Sequence, residues 1–152
     1  SNIVIRFIEF MDVGSTNDWN KNSVVHSQEI LQMIEKNYNI KKLEKNYFGE
    51  VVNRYEIQDN SLEFGFISSV TEPFCNDCTR IRLSSEGKLY TCLFSLSGFD
   101  LKEKIRGDFT DQQISSFINS IWSDRNDRYS ELRNKGALSS GSSKIEMPYI
   151  GG

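Results

Sequence analysis

"FCNDCTRIRLSSEGKLYTCLF", residues 74–94, holds every cysteine of the chain. Two β-prone runs flank Glu86-Gly87, so the stretch reads as a hairpin whose glycine takes the left-handed conformation the turn demands. Two loop lengths compete. A two-residue loop pairs Arg82 with Thr91 and mixes polar and apolar groups on both faces. A three-residue loop, Ser85-Glu86-Gly87, pairs Arg82 with Tyr90 and Arg80 with Cys92. The faces then separate, with Ile81, Leu83, Leu89 and Leu93 on one side and Arg80, Arg82, Tyr90 and Cys92 on the other. The three-residue loop is the expected one.

Carried backwards, that register sets Cys78 on the arginine face and diagonal to Cys92, at roughly 7 Å or less between side-chain origins. Cys75, across a turn, can fold over the same spot. Positive neighbours lower thiol pKa values and favour the thiolate, the form that binds metal. A closed zinc site needs a fourth ligand, His26 or a carboxylate such as Asp77. A Cys75–Cys78 disulfide is the plain alternative. A [4Fe–4S] cluster on three cysteines leaves one iron open, and an open iron can coordinate a substrate atom.

The whole chain has 152 residues, 38% apolar and 26% charged, the profile of an ordinary globular domain. A net charge of -3 gives no bulk attraction for nucleic acid. Local clustering differs: Arg80, Arg82, Lys88, Lys102, Lys104 and Arg106 face only Glu86, Asp100 and Glu103 between positions 80 and 106. No apolar run is long enough to span a bilayer and no signal peptide is recognisable, so a cytoplasmic protein without membrane contact is expected. Three thiols cannot form a fully paired disulfide framework, which favours a reduced, ligand-bearing role. Ser1-Asn2 runs straight into an apolar strand without an initiator Met, as expected of part of a longer protein.

Residues 3–11, "IVIRFIEFM", read as a strand covered on both faces, interrupted by Arg6 and Glu9, which are costly there unless paired. "DVGSTNDWN" follows as a loop at the strand's C-terminal end, where α/β folds commonly place ligand-binding groups. Ile30, Leu31, Met33 and Ile34 predict a helix from Ser27 to about Tyr38, with Ser27 as N-cap and His26 a solvated residue before it. Positions 47–57 and 62–70 predict antiparallel strands joined at "QDNS". Asp100 and Gly107 bound a short helix over 101–106. "TDQQ", 110–113, is a capping box opening a helix whose inward stripe is Ile114, Phe117, Ile118, Ile121 and Trp122. "NKGALSSGSS", 134–143, reads as a flexible Gly/Ser segment, and "KIEMPYIGG" as a short tail.

The spacing of two and then thirteen residues between cysteines, with Arg-x-Arg directly after the second, resembles the C-terminal cluster motif of the molybdenum cofactor biosynthesis protein A family, radical S-adenosylmethionine GTP 3′,8-cyclases. "RFIEFM" is similar to that family's last barrel strand and "YIGG" to its terminal double glycine. The resemblance implies that Cys75, Cys78 and Cys92 bind a [4Fe–4S] cluster whose open iron meets the guanine of GTP. It implies that Arg80 and Arg82 contact GTP, their fixed donor forks suiting phosphate or purine acceptors. It places Met11 and Arg6 at the S-adenosylmethionine site and brings Gly151 and Gly152 into the active site. The second [4Fe–4S] cluster, on the family's Cys-x3-Cys-x2-Cys motif, would belong to the N-terminal half, absent from these residues, so the chain alone is expected to be inactive.

The fold expected on this basis is α+β: a remnant of an incomplete (β/α) barrel over 1–45, an antiparallel-sheet Fe–S and GTP-binding domain over 46–135, and a Gly/Ser segment with double-glycine tail over 136–152. The exposed first strand favours a homodimer. Two other readings are a zinc-stabilised hairpin presenting Arg80, Arg82 and Tyr90 to nucleic acid, and an auxiliary-cluster domain of another radical enzyme.

Overall fold

The apolar opening run forms β1, Ile5–Ile8, in a computed structural model that describes residues 3–135 and 144–150. After it come α1 (Ser27–Glu35), β2 (Ile40–Lys42), β3 (Asn53–Ile57) and β4 (Leu62–Ile67). These strands make one mixed sheet in the order β1-β4-β3-β2, with β1 parallel to β4 and the other pairs antiparallel. The remaining elements are β5 (Arg82–Leu83), β6 (Lys88–Tyr90), β7 (Phe99–Asp100), α2 (Leu101–Arg106), α3 (Asp111–Ser123) and α4 (Tyr129–Asn134). Strands β5, β6 and β7 form a second, antiparallel sheet in that order. The architecture is therefore α+β, with one mixed and one antiparallel sheet.

Two compact units divide the chain. One comprises Ser1–Met11, Trp19–Cys78 and Ser130–Ala137; the other comprises Asp12–Asp18, Thr79–Tyr129 and Leu138–Gly152.

In the first unit the register places Phe7 beside Phe66 and Ile5 beside Phe64, so one face of the sheet is aromatic. Leu31 of α1 packs on Phe64 and Phe66, with Phe7, Ile30, Ile34, Ile40, Tyr55 and Ile57 around them. Phe66 is 2% exposed, and truncating such a ring to alanine costs about 3–5 kcal/mol. The β3–β4 connection is the "QDNS" turn: Asn60 Oδ1 accepts from Leu62 N, and Ser61 takes φ +55°. Only one face of β1 is covered, contrary to the expectation of two. Ile8 stays 57% exposed and Ile3, Val4 and Phe10 are exposed as well, and β1 is an edge strand among the described residues.

The two charges in the opening run are resolved differently. Arg6 and Arg54 both lie across from Gly65, and both reach Glu63, Arg6 Nη2 at 2.7 Å and Arg54 through Nε at 3.1 Å and Nη2 at 2.7 Å. A Cβ at Gly65 would collide with the Val52 side chain and approach Asn53 O to 2.9 Å, so only glycine allows this close crossing. Glu9 is 4% exposed and has a different set of partners. Its Oε1 accepts from Ser27 N and Oγ, each at 3.0 Å, and from Thr71 Oγ1 at 2.6 Å; its Oε2 accepts from Val70 N and Thr71 N, each at 2.9 Å. Burial pushes this carboxyl up, but the donors from Thr71, Ser27 and Val70 outweigh it and hold the group below the usual range. Ser27 is thus the first residue of α1, after His26 at the N-cap, and its side chain binds Glu9 instead of capping the helix.

In the second unit Leu89, Leu101 and Ile121 form the core with Ile114, Phe117 and Ile118, most of the stripe the sequence predicts. Asp100 caps α2 by accepting from Glu103 N, and the Thr110–Gln113 capping box is present. Trp122 is half-buried and carries the Arg125 guanidinium over its ring at 4.9 Å. The three-residue hairpin loop is also present: Arg82 pairs with Tyr90, Leu83 with Leu89, and Gly87 sits at φ +83°.

Glu63 titrates down at about 2, held there by the Arg54 bond first and Arg6 next, against the opposing effect of burial. A depressed carboxylate contributes stability that is present above its unfolded pKa of about 4.3 and lost as pH falls toward its folded value. Glu63→Gln is therefore expected to cost about 1–3 kcal/mol at neutral pH, reduced by partial exposure, with the gap from the parent closing as pH falls from about 4 to about 2. Urea unfolding across that window checks it; a constant gap would show that the charge contributes nothing. Glu9→Gln should cost about 2–4 kcal/mol, because an amide NH2 would face donors instead of accepting from them.

Candidate cofactor and nucleotide site

The segment after β4 leads through a turn that carries Cys75 and Cys78, with Cys78 N donating to Cys75 O at 3.4 Å. Both thiols are half-buried. Asp77 between them is exposed and lies 3.6 Å from Lys45 Nζ in a solvated ion pair. Such a pair contributes little to stability. His26 occupies the N-cap position of α1, matching its reading as a helix-start residue.

Arg82 opens β5, and half-buried Arg80 lies two residues before it, its Nε shielded from water. Cys92 does not continue the hairpin. The ladder ends at Arg82–Tyr90, and residues 91–94 bend away, so the expected Arg80–Cys92 pair is not formed. The cause is β7, which sequence reading missed. Leu89 pairs with Phe99 and Lys88 with Asp100 on the other edge of β6, so the chain must reverse direction between 91 and 98. Cys92 starts that reversal: Ser95 N donates to Cys92 O at 3.2 Å, and Phe94 N donates to Cys92 Sγ at 3.5 Å. Both faces of β6 are covered, Leu89 (5% exposed) by Leu101 and Ile121 and Tyr90 (2% exposed) by Tyr149 and Gly98, while Ile81 and Leu83 of the expected apolar face stay exposed.

No disulfide joins the three cysteines. Among the described residues no group of three or more His, Cys, Asp or Glu side chains is arranged to hold a metal ion. The donor chemistry nevertheless suits an iron–sulfur group: three thiols, two of them on one turn, and a backbone N–H already directed at the third sulfur. Arg6 of β1 is engaged by Glu63 of β4, and Met11 is half-buried just beyond β1. Gly151 and Gly152 lie outside the described residues, as does most of the Gly/Ser segment, 136–143.

Sequence reading also missed how the tail before the double glycine is held. Lys144 Nζ donates to Asp12 O at 2.9 Å and to Asp12 Oδ2 at 2.8 Å, and Tyr129 OH donates to the same oxygen at 2.8 Å. Glu146 accepts from Ser15 N at 2.8 Å and from the hydroxyls of Ser15 and Thr16. The tail is thus held by Asp12, Ser15 and Thr16 of the loop that follows β1. A Lys-x-Glu in a tail has many possible acidic and hydroxyl partners, so no local signal could have matched these.

A cleft of about 520 Å³ in the second unit runs past Thr91, Ser95, Phe99, Phe117, Asp124 and Asp127. Arg125 in its wall pairs with Asp127 at 3.1 Å, so the cleft has no concentrated positive charge for a phosphate.

Comparison with known proteins gives the context. Residues 3–131 match the family described as Molybdenum Cofactor Synthesis C. A protein of Staphylococcus epidermidis named GTP 3',8-cyclase is 48% identical over 153 aligned residues, covering 99% of this chain and 45% of that protein. Proteins of the same name from Staphylococcus haemolyticus and Staphylococcus saprophyticus are 47% and 45% identical, again over 99% of this chain and 45% of their own length. The chain thus spans less than half the length of the curated relatives it matches. No helix among the described residues is long and apolar enough to cross a membrane.

Thiol counting tests the reduced state. Without reductant, the denatured chain should present three reactive thiols, as no disulfide joins them. A count reduced by a pair, restored by reduction, would contradict it.

Proposed function

Because the chain belongs to the Molybdenum Cofactor Synthesis C family, we propose that it is the C-terminal part of a GTP 3′,8-cyclase and supplies that enzyme's nucleotide-side cluster ligands and GTP contacts. The observation that carries this reading is that one family match, over 3–131, contains all three thiols and both arginines of the Cys-x2-Cys-x-Arg-x-Arg motif. On this reading the zinc-stabilised nucleic-acid module has no support from the comparisons.

Cys75, Cys78 and Cys92 would hold a [4Fe–4S] cluster, which supplies an iron with an open coordination position for a substrate atom. The N–H of Phe94 would remain on the Cys92 sulfur, where such bonds tune cluster potential. Arg80 and Arg82 would hold GTP. Their guanidinium forks present paired donors in a fixed plane, which orients a phosphate or a purine edge more strictly than a lysine would. Met11 and Arg6, at the end of β1 and within it, would border the S-adenosylmethionine site. The bond from Arg6 to Glu63 would hold that side chain in one direction. Residues 1–45 would be the last strand and helix of the barrel, 46–135 the cluster and GTP domain, and Gly151-Gly152 a tail entering the active site.

The second cluster and the radical chemistry would reside in the other half of the protein, so the isolated chain would lack activity. Among the described residues β1 is an edge strand, and such an edge favours dimer formation through that strand. A cytoplasmic site of action fits a reduced thiol trio.

Anaerobic reconstitution of the chain with iron and sulfide tests the proposal. About four iron and four sulfide per chain are expected, with GTP binding lowered at least about tenfold by Arg80→Ala or Arg82→Ala, which corresponds to about 1.4 kcal/mol. Stoichiometric zinc without acid-labile sulfide, or iron uptake unchanged in Cys75→Ala, Cys78→Ala and Cys92→Ala, would overturn it.

A further inference from the structure

We propose that Tyr149 is a positioning residue: through residues 144–150, acting as a strap, it holds the Tyr90–Arg82 end of the hairpin in the place the nucleotide needs. The inference rests on the reading of Arg82 as a GTP contact.

The hairpin cannot brace itself. Its ladder has two residue pairs, Arg82–Tyr90 and Leu83–Leu89, and β5 is a two-residue edge strand. So short a ladder is marginal in water, while a side chain that orients a substrate must be held to about half an ångström. Support has to come from packing on Tyr90, the residue directly across from Arg82.

Two groups supply it. On one side Gly98 brings bare backbone against the Tyr90 ring, for a Cβ there would lie 2.7 Å from Tyr90 Cζ. On another, the Tyr149 ring meets Tyr90 edge-on, with centroids 6.5 Å apart and planes at 79°, a geometry aromatic pairs favour. The Tyr149 hydroxyl donates to the Glu86 carboxylate, in the hairpin loop itself. One side chain therefore grips the hairpin at its tip and at its open end.

The strap that carries Tyr149 is anchored on both sides of it. Lys144 holds Asp12, which is 3% exposed, and Glu146 binds Ser15 and Thr16. Ile150, next to Tyr149, is completely buried. Gly14 takes φ +73°, a conformation that strains other residues, and the Glu146 carboxylate lies where a Cβ would project. Consistent with the grip on Glu86, the Tyr149 phenol is pushed up to about 12 by that bond.

The test compares the full 152-residue chain with Tyr149→Ala, which loses ring and hydroxyl, Tyr149→Phe, which keeps the ring, and Tyr38→Ala as an exposed-tyrosine control. Amide hydrogen exchange and GTP affinity are measured on each. Expected for Tyr149→Ala are exchange at Ser84 and Gly87, whose amides close the hairpin, faster by about tenfold or more with β3–β4 amides unchanged, and GTP affinity weaker by about fivefold or more. Tyr149→Phe should fall between, and Tyr38→Ala should match the parent. Faster hairpin exchange with unchanged GTP affinity overturns the proposal, as does weaker GTP binding with unchanged exchange, which would make Tyr149 a direct contact. If the parent chain binds no GTP, the Arg82 reading fails here, and exchange alone decides: local loss of protection supports the strap as the hairpin's brace, and unchanged rates overturn it.

Discussion

Glu9 brings a full negative charge to a position that is 4% exposed, and no cation compensates it in the hydrogen bonds it makes. Desolvation alone would drive such a carboxyl to its neutral form. Three backbone N–H groups and two hydroxyls hold it charged instead, and they come from two places in the chain, the first residue of α1 and the segment leaving β4, which the carboxylate joins to the end of β1. The parallel β1–β4 pairing depends on the same junction, since Glu9 N also donates to Ile67 O at the last rung. Ser68 extends the network by donating to Ser27 Oγ at 2.8 Å. The segment that leaves this junction runs on to Cys75 and Cys78, so the carboxylate fixes the starting point of the turn that bears two of the thiols.

Arg6 shows the other solution to a charge in an apolar strand. It lies on the face opposite Phe7 and shares Glu63 with Arg54, so three long side chains cover the sheet around the bare backbone of Gly65. This is an ion triad at a partly exposed surface, where its value lies in direction more than in energy. The contrast between the two charges follows the pleat. Glu9 lies one residue past the strand's end, where backbone amides from neighbouring segments are uncommitted, whereas Arg6 sits within the ladder, where only side chains are available as partners.

What the sequence disclosed was local. Gly87 and the alternation around it were enough to choose the three-residue loop, and the Arg82–Tyr90 register followed. The Thr110–Gln113 box and the Ile114–Ile121 stripe lie within one helix, and the "QDNS" turn lies between adjacent strands. What it concealed was distant pairing. Phe99–Asp100 is too short to announce a strand, yet its pairing with β6 ends the hairpin and moves Cys92 off the ladder. Tyr90, placed on an open polar face by alternation, is buried because a tail some sixty residues later packs on it. Two-sided cover for β1 was inferred from its apolar composition, but composition records what a strand tolerates, and among the described residues only the α1 side is covered.

The departure of Cys92 from the hairpin bears directly on the chemistry proposed for it. In a ladder, each backbone N–H is committed to a carbonyl of the neighbouring strand, and a cysteine sulfur there meets few donors. In a turn the amides are released: Phe94 N–H points at the Cys92 sulfur while Ser95 N–H closes the turn on the Cys92 carbonyl. Cys75 and Cys78 likewise sit on irregular backbone, closed by a single N–H to C=O bond. A thiolate needs donors to remain charged away from water, and backbone N–H groups supply them without introducing a competing side-chain ligand. Ending the ladder two residues before Cys92 thus leaves Arg82 on a strand and gives the sulfur a turn for hydrogen bonds, a division of tasks that one uninterrupted hairpin could not provide.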